Sequence, residues 1–153
     1  MRYESGRSLI EIVGVIAIGT VMTAAAIGMY RTMRDNHVRN IADAELKQVA
    51  SDVKMLMETR GDYTGVSVDY LIKSGALKSD KAPLGGDSWS VIASADGLSF
   101  SINLTELTQG ECAYFSTALP TWATSVLING YEVRDGFDSC FSTPTNQVSF
   151  IIE

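Results

Sequence analysis

The feature that most constrains this chain is an apolar run from Leu9 to Met29 in which Glu11 is the only charged residue. About 20 apolar residues in a helix suffice to cross a bilayer. A carboxylate within such a run is costly, and an ionisable residue in a membrane helix is by default a sign of function that requires a partner. The run therefore predicts a membrane helix with a functional acid near its start.

The apolar run leads into an amphipathic stretch, and the two together predict one helix over residues 8–59. All three prolines of the chain lie beyond residue 80, so none interrupts it. Some 50 residues at 1.5 Å each give a rod of about 75–80 Å, which a domain of this size cannot bury along its full length. We expect the first half to lie in lipid or against other copies. The second half repeats apolar residues at steps of three and four, the pattern of one buried face: Val38, Ala42, Leu46, Val49, Val53 and Leu56.

After Arg60-Gly61, where the long helix is expected to end, the pattern is that of a small globular head. Two further helices are predicted, at residues 68–74, with Ser67 or Asp69 as the N-cap, and at 109–119. Asn129-Gly130 predicts a tight hairpin, and Asp135-Gly136 predicts another turn. The order of elements predicts an α+β fold with an antiparallel sheet. Its strands are expected at residues 88–93, 98–104, 125–128, 131–134 and 147–152.

The length, the net charge and the histidine content of the chain favour a structural role. The chain has 153 residues and a formal charge of -6, which fits one soluble domain plus one hydrophobic helix and disfavours nucleic-acid binding. The only histidine, His37, lies among polar neighbours on the predicted helix, so no nucleophile–base constellation stands out. We therefore expect no enzymatic activity, no cofactor and no metal. Trp89 and Trp122 are expected to pack in the core, and the alternative is that they are contact residues on the surface of an assembly.

Cys112 and Cys140 are the only cysteines. An export-type N-terminus implies an oxidising compartment, in which a disulfide is the default. Zinc is the alternative, but a structural zinc site needs about four ligands and the chain has one histidine. A disulfide between the two cysteines is the prediction.

The segment from Gly6 through Arg7 to Glu11, followed by the unbroken apolar helix, resembles the N-terminus of the type IV pilins. The resemblance implies that a prepilin peptidase cuts between Gly6 and Arg7 and that the new amine of Arg7 is methylated. It also implies that Glu11 meets this amine on a neighbouring copy during assembly. Arg7 departs from the family, whose first mature residue is usually apolar. In the head, the Tyr-Thr-Gly turn, the Gly-Gly-Asp-Ser-Trp loop and the Asn-Gly hairpin between two cysteines resemble the type IVb branch, whose leaders are longer.

On this resemblance the chain divides into a leader (1–6), a transmembrane and assembly helix (7–34) and a head (35–153) that includes the amphipathic half of the helix. The implied fold is the pilin ladle, with the long helix on an antiparallel sheet and a disulfide-bounded C-terminal region. The implied partners are other copies in a helical homopolymer, the prepilin peptidase, the inner-membrane assembly platform and a receptor on a host or other cell. The implied location is the inner membrane and then an extracellular fibre of a Gram-negative bacterium.

Several alternatives stay open from the sequence. Ala24-Ala25-Ala26 could be the cleavage site of an ordinary secretory signal, and the helix could be a plain single-pass anchor. A minor pilin or a pseudopilin of type II secretion would share the N-terminal motif. Such pseudopilins often bind calcium near the C-terminus, where this chain has its cysteine pair. The most distant alternative is a membrane-tethered binding module that does not polymerise.

Overall fold

The computed structural model describes residues 5–133 and 139–153, with side chains from residue 9 onward. The fold is α+β, as predicted. The chain forms two compact units, one ending at Val38 and the other running from Arg39 to Glu153. The elements in chain order are α1 (Ser5–Glu58), α2 (Val68–Lys73), β1 (Ser90–Ala93), β2 (Phe100–Leu107), α3 (Gln109–Thr117), β3 (Ser125–Ile128), β4 (Tyr131–Glu132) and β5 (Asn146–Ile152).

The first unit is the N-terminal part of α1, and its apolar side chains are exposed. Thirteen large apolar residues between Leu9 and Met33 have exposed fractions from 48% at Ile27 to 76% at Ile10. The threonine hydroxyls within this part are satisfied locally, because the Thr23 hydroxyl donates to the Gly19 carbonyl at 2.7 Å and those of Thr20 and Thr32 also donate to carbonyls of the preceding turn. Such a helix suits a lipid or a dry helix bundle, since neither offers water as a hydrogen-bond partner.

In the second unit, α1 contributes one face to the core of the head. Four predicted positions are confirmed as buried, together with two that the prediction omitted: Ala42, Leu46, Val49 and Val53, then Ala50 and Met57. The prediction was wrong for Val38, which is 43% exposed because it lies before the head begins. Leu56 is only half-buried, since Met57 takes the inward position one turn beyond Val53.

The sheet has five strands in the order β1-β2-β5-β3-β4, and all neighbours are antiparallel. The last strand therefore lies in the middle. The register places Val91, Ile102, Phe150 and Val126 opposite one another across four strands, and all four are buried. Because alternate side chains point to opposite faces, this row defines the core face of the sheet. It belongs to the same buried cluster as the inward residues of α1.

The helix ends follow local capping rules. The Ser67 hydroxyl accepts the Tyr70 N–H at 3.1 Å and caps α2, which confirms the predicted cap. Thr108 and Glu111 form a reciprocal capping box at the start of α3, a pattern that the sequence contains and the prediction did not use. The helix α3 ends at Thr117, two residues earlier than expected.

The strand boundaries differ from the prediction mainly in β2. This strand begins at Phe100 and continues past a bulge to Leu107, with Glu106 in the left-handed region at φ +56°. The Gly86 N–H donates to the Thr105 carbonyl at 2.9 Å, and a Cβ at Gly85 would lie 2.3 Å from the same oxygen. Glycine at residue 85 therefore allows the loop before β1 to pack directly against the bulge of β2. The strand β4 ends at Glu132, one residue before Val133, although the Val133 N–H still donates to the Val126 carbonyl at 3.0 Å. The last predicted residue of β4, Arg134, and the Asp135-Gly136 turn lie outside the described residues.

Candidate functional site

The first candidate site is the start of α1. The backbone is already helical at Ser5, so Gly6, Arg7 and Glu11 lie on one continuous helix, with Arg7 one turn before Glu11. Glu11 is exposed, and within residues 9–133 and 139–153 no side chain forms an ion pair with it. Cleavage between Gly6 and Arg7, methylation of Arg7 and the assembly role of Glu11 stay predictions.

Among the described residues, α1 is the one helix long and apolar enough to cross a membrane, with a mean hydropathy of 2.2 over its most apolar window. Core helices of soluble proteins and signal sequences can meet the same criterion. A core helix is excluded here because none of that window is buried. The chain therefore presents an exposed apolar helix with a carboxylate near its start, and this helix is a candidate membrane anchor.

The second candidate site is the C-terminal region of the head, which a disulfide closes. Cys112 and Cys140 are bonded, with a Cα–Cα distance of 5.9 Å and a sequence separation of 28, which confirms the prediction. Cys112 lies fully buried in α3, and half-buried Cys140 lies in the segment before β5. Because both sulfurs are in this bond, the zinc alternative for the cysteines is excluded.

Sequence reasoning missed Asn146, which is the only fully buried polar side chain in the described part of the chain. Its Nδ2 donates to the carbonyls of Leu107 (3.1 Å), Phe141 (3.0 Å) and Thr143 (3.1 Å), and its Oδ1 accepts the Phe141 N–H at 2.6 Å. One amide thus holds the segment after Cys140 against the end of β2. The signal was readable, because residues 146, 148, 150 and 152 alternate onto the core face and the first of them is polar.

A second amide is joined to the first. Asn129 and Gly130 have φ values of +51° and +86°, as the tight hairpin predicted from the sequence requires. The Asn129 Nδ2 donates to the Ser139 carbonyl at 2.7 Å and to the Asn146 Oδ1 at 3.0 Å, and its Oδ1 accepts the Gln147 N–H at 2.9 Å. We call Asn129 and Asn146 the amide pair. It connects the β3–β4 turn, the segment at Cys140 and the start of β5.

We expect Asn146→Ala to destabilise the head by about 2–3 kcal/mol, because it leaves the buried Leu107 carbonyl and the Phe141 N–H without their partner. Urea denaturation of a fragment spanning residues 35–153 measures the change. Asn103→Ala is the matched control, since Asn103 is only half-buried and bonds two serine hydroxyls, Ser90 and Ser101. The control should lose less than about 1 kcal/mol. If both variants lost the same free energy of unfolding, the role given to Asn146 would be contradicted.

The head has further features away from the amide pair. A surface pocket of about 440 Å³ at the end of α1 is lined by Met57, Tyr63 and Leu98 together with charged residues.

Hydrogen bonds from the Ser94 hydroxyl and the Leu98 N–H lower the pKa of the Asp96 carboxyl in the β1–β2 turn. The Asp69 carboxylate raises the pKa of Lys73 one turn along α2 by hydrogen bonding and by its charge. Within the described residues, no three His, Cys, Asp or Glu side chains come together as metal ligands.

The aromatic and histidine predictions have clear outcomes. Trp89 is buried, and half-buried Trp122 packs against Phe150 with ring centroids 5.0 Å apart and ring planes tilted by 41°. Both tryptophans pack in the core, as predicted. The Trp122 Nε1 also donates to the Asp43 carboxylate at 3.1 Å and so links the α3–β3 connection to α1. His37 is exposed on α1.

No protein-family model matches this chain, and no curated protein sequence matches it significantly. The class is therefore defined by the structure alone. It is an α+β protein whose N-terminal helix begins with an exposed apolar part and whose head carries a disulfide near its C-terminal strand. This architecture is compatible with that of a pilin-like subunit.

Proposed function

We propose that this chain is a structural subunit of a type IV pilus. It is inserted in the inner membrane as a precursor, processed by a prepilin peptidase at Gly6 and polymerised into an extracellular fibre through the assembly platform. The observation that carries the proposal is the exposed apolar part of α1 with Glu11 as its only charged residue from Leu9 to Met29.

The apolar part of α1 must be shielded from water both in the membrane-bound precursor and in the assembled fibre. Fully burying a large apolar side chain contributes about 1.5–3 kcal/mol, and this unit exposes thirteen of them. Lipid covers them in the precursor. Once the chain leaves the membrane, only other copies of the same helix offer an apolar surface of matching length. A helical homopolymer is the assembly that supplies this cover to every subunit.

Glu11 favours a polymer over a plain anchor. A lone anchor gains nothing from a carboxylate inside its apolar run, and it carries the cost of desolvating that group. In a polymer, the free amine of Arg7 on a neighbouring copy supplies the missing positive charge. Because the carboxylate is stable only where it meets this amine, the ion pair fixes the axial position of one subunit relative to the next.

The disulfide supports an exported head and favours a pilin over a pseudopilin. Disulfides persist in oxidising compartments and are rare in the cytosol. Calcium-binding pseudopilins need carboxylates grouped near the C-terminus, and the described part of this chain holds the Cys112–Cys140 bond there and no acidic group of three. A major pilin forms most of the fibre and a minor pilin little of it, so quantitative proteomics of sheared fibres separates these two.

A single-pass anchor with a cytoplasmic head is the second candidate, and the charges flanking the apolar run favour it. Arg31, Arg34 and Arg39 follow the run, whereas only Arg2 and Arg7 precede it. Basic flanks tend to remain in the cytoplasm. Protease added to spheroplasts with an intact inner membrane digests the head only if it has been exported, so this measurement separates the two candidates.

We expect the mature protein to begin at Arg7 with a methylated amine. Mass spectrometry of the N-terminal peptide from sheared surface material checks both features. A start after Ala26 would identify an ordinary secretory signal, and an intact N-terminus at Met1 would identify an anchor or a failure of the peptidase at Arg7. Arg7→Phe is the control, because it restores the apolar first residue that is usual in the family.

We expect a fragment spanning residues 35–153 to be soluble and monomeric. It keeps the α1 residues that complete the core of the head and omits the exposed apolar part. Sedimentation velocity measures its mass, and the fully reduced fragment serves as a control for aggregation. Fibres or large oligomers formed by the oxidised fragment would show that the assembly interface lies in the head.

A further inference from the structure

Asn129-Gly130 is a chemically labile dipeptide. The backbone nitrogen of the glycine can attack the asparagine side chain, because glycine has no Cβ to obstruct the approach. A bond forms between the Gly130 nitrogen and the Asn129 Cγ, and the Cγ–Nδ2 bond breaks. Ammonia leaves and takes the proton of the Gly130 amide. Water then opens the cyclic imide at either carbonyl and yields aspartate or isoaspartate, with no change of oxidation state.

The native head holds the Asn129 amide in an arrangement that opposes this reaction. Its Nδ2 donates to Ser139 and Asn146, and its Oδ1 accepts the Gln147 N–H, at distances of 2.7, 3.0 and 2.9 Å. Rotating the Cγ toward the Gly130 nitrogen breaks all three bonds together. At the usual net strength of a protein hydrogen bond, this lowers the population of the reactive side chain about 100-fold.

The disulfide controls two parts of this arrangement. Ser139 directly precedes Cys140, so the bond from Cys140 to Cys112 fixes the Ser139 carbonyl against Asn129. Phe141 directly follows Cys140, and its backbone both donates to and accepts from the Asn146 side chain. Opening the disulfide releases the segment that positions both members of the amide pair.

We propose that Asn129 is a site of spontaneous deamidation and that the closed disulfide slows this reaction. A head whose disulfide is open therefore becomes modified at Asn129. After this modification, the head does not regain the native hydrogen bonds at residue 129 when the disulfide forms again. A carboxylate at residue 129 cannot donate to the Ser139 carbonyl, and it faces a second acceptor, the Asn146 Oδ1. Isoaspartate also adds a main-chain atom to a turn whose register pairs Ile128 with Tyr131. The proposal does not depend on polymerisation.

The test follows Asn129 in the full-length chain in detergent micelles at mildly alkaline pH. Peptide mapping by mass spectrometry compares three samples: the oxidised protein, the protein reduced with dithiothreitol and alkylated, and a synthetic peptide spanning residues 125–133. Asn103, which precedes Leu104, is the internal reference in both protein samples. We expect the oxidised protein to react about 100-fold more slowly than the peptide, and the reduced protein to approach the rate of the peptide.

Two results would overturn the proposal. One is deamidation of the oxidised, folded protein at the rate of the peptide, and the other is reduced protein that stays as protected as the oxidised form. Circular dichroism of each sample reports whether the head remains folded. If reduction unfolds the head, Asn146→Ser with the disulfide intact is the second test, since it removes the Asn146 Oδ1 that accepts from Asn129. Circular dichroism checks that this variant stays folded, because it also loses the hydrogen bonds of the Asn146 amide to Leu107 and Phe141. We expect this variant to deamidate at Asn129 about tenfold faster than the oxidised parent, and an unchanged rate would refute the protective role of the amide pair.

Discussion

Glu11→Gln should leave the precursor in the membrane and the head folded, but yield few or no fibres. The substitution keeps the size of the side chain and removes its charge. In a helix bundle without water, an unpaired polar group is costly, whereas a carboxylate paired with the amine of Arg7 on a neighbouring copy is stabilised. Two unit charges 4 Å apart attract by about 4 kcal/mol at an effective dielectric of about 20, before desolvation is subtracted. Electron microscopy of sheared surface material, with immunoblots of the membrane fraction, measures the effect.

Two further variants make the Glu11 result specific. Glu45→Gln removes one charge from an exposed position of α1 within the head, and it should assemble normally. Arg7→Phe removes the guanidinium one turn before Glu11, which could otherwise form an ion pair with the carboxylate inside the same helix. We expect Arg7→Phe to assemble, because the amine of residue 7 remains. Normal fibres from Glu11→Gln would reduce Glu11 to a tolerated charge at the edge of the membrane.

Loss of the disulfide should destabilise the head by about 3–4 kcal/mol, the chain-entropy value for a loop of this span. The preferred variant combines Cys112→Ala with Cys140→Ser, because Cys112 is fully buried and a hydroxyl there would lack a partner. Urea denaturation of the 35–153 fragment measures the change. In cells the same variant should lower the amount of the protein, since a loss of this size is a large share of the stability of a small domain.

The matched control for this prediction is the parent fragment after reduction. If the covalent link alone is responsible, the reduced parent and the double variant should unfold at similar urea concentrations. A change below about 1 kcal/mol would mean that the amide pair and the core of the head hold the segment at Cys140 without the bond. Free thiols at both cysteines in exported protein would instead contradict the argument from the compartment.

Local patterns in the sequence were sufficient for the elements whose contacts lie close along the chain. The helix α1 followed from its length, the lack of proline and the three- and four-residue spacing. The Ser67 cap and the Asn129-Gly130 turn followed from residue types that satisfy backbone groups or tolerate positive φ. The disulfide followed from there being only two cysteines in a chain with an export-type start. These signals act over a few residues, or through composition, and do not depend on how the head packs.

Tertiary structure alone decided the arrangement that joins distant segments. No local pattern indicates that β5 lies between β2 and β3, because strand order depends on which pairings bury the most apolar surface in the folded head. The burial of Met57 in place of Leu56, and the exposure of Val38, depend on where the head begins along α1. The amide pair depends on the same arrangement: Asn129 and Asn146 are 17 residues apart and meet because β3 and β5 are neighbours, and a buried amide is stable only where the fold brings its partners to it.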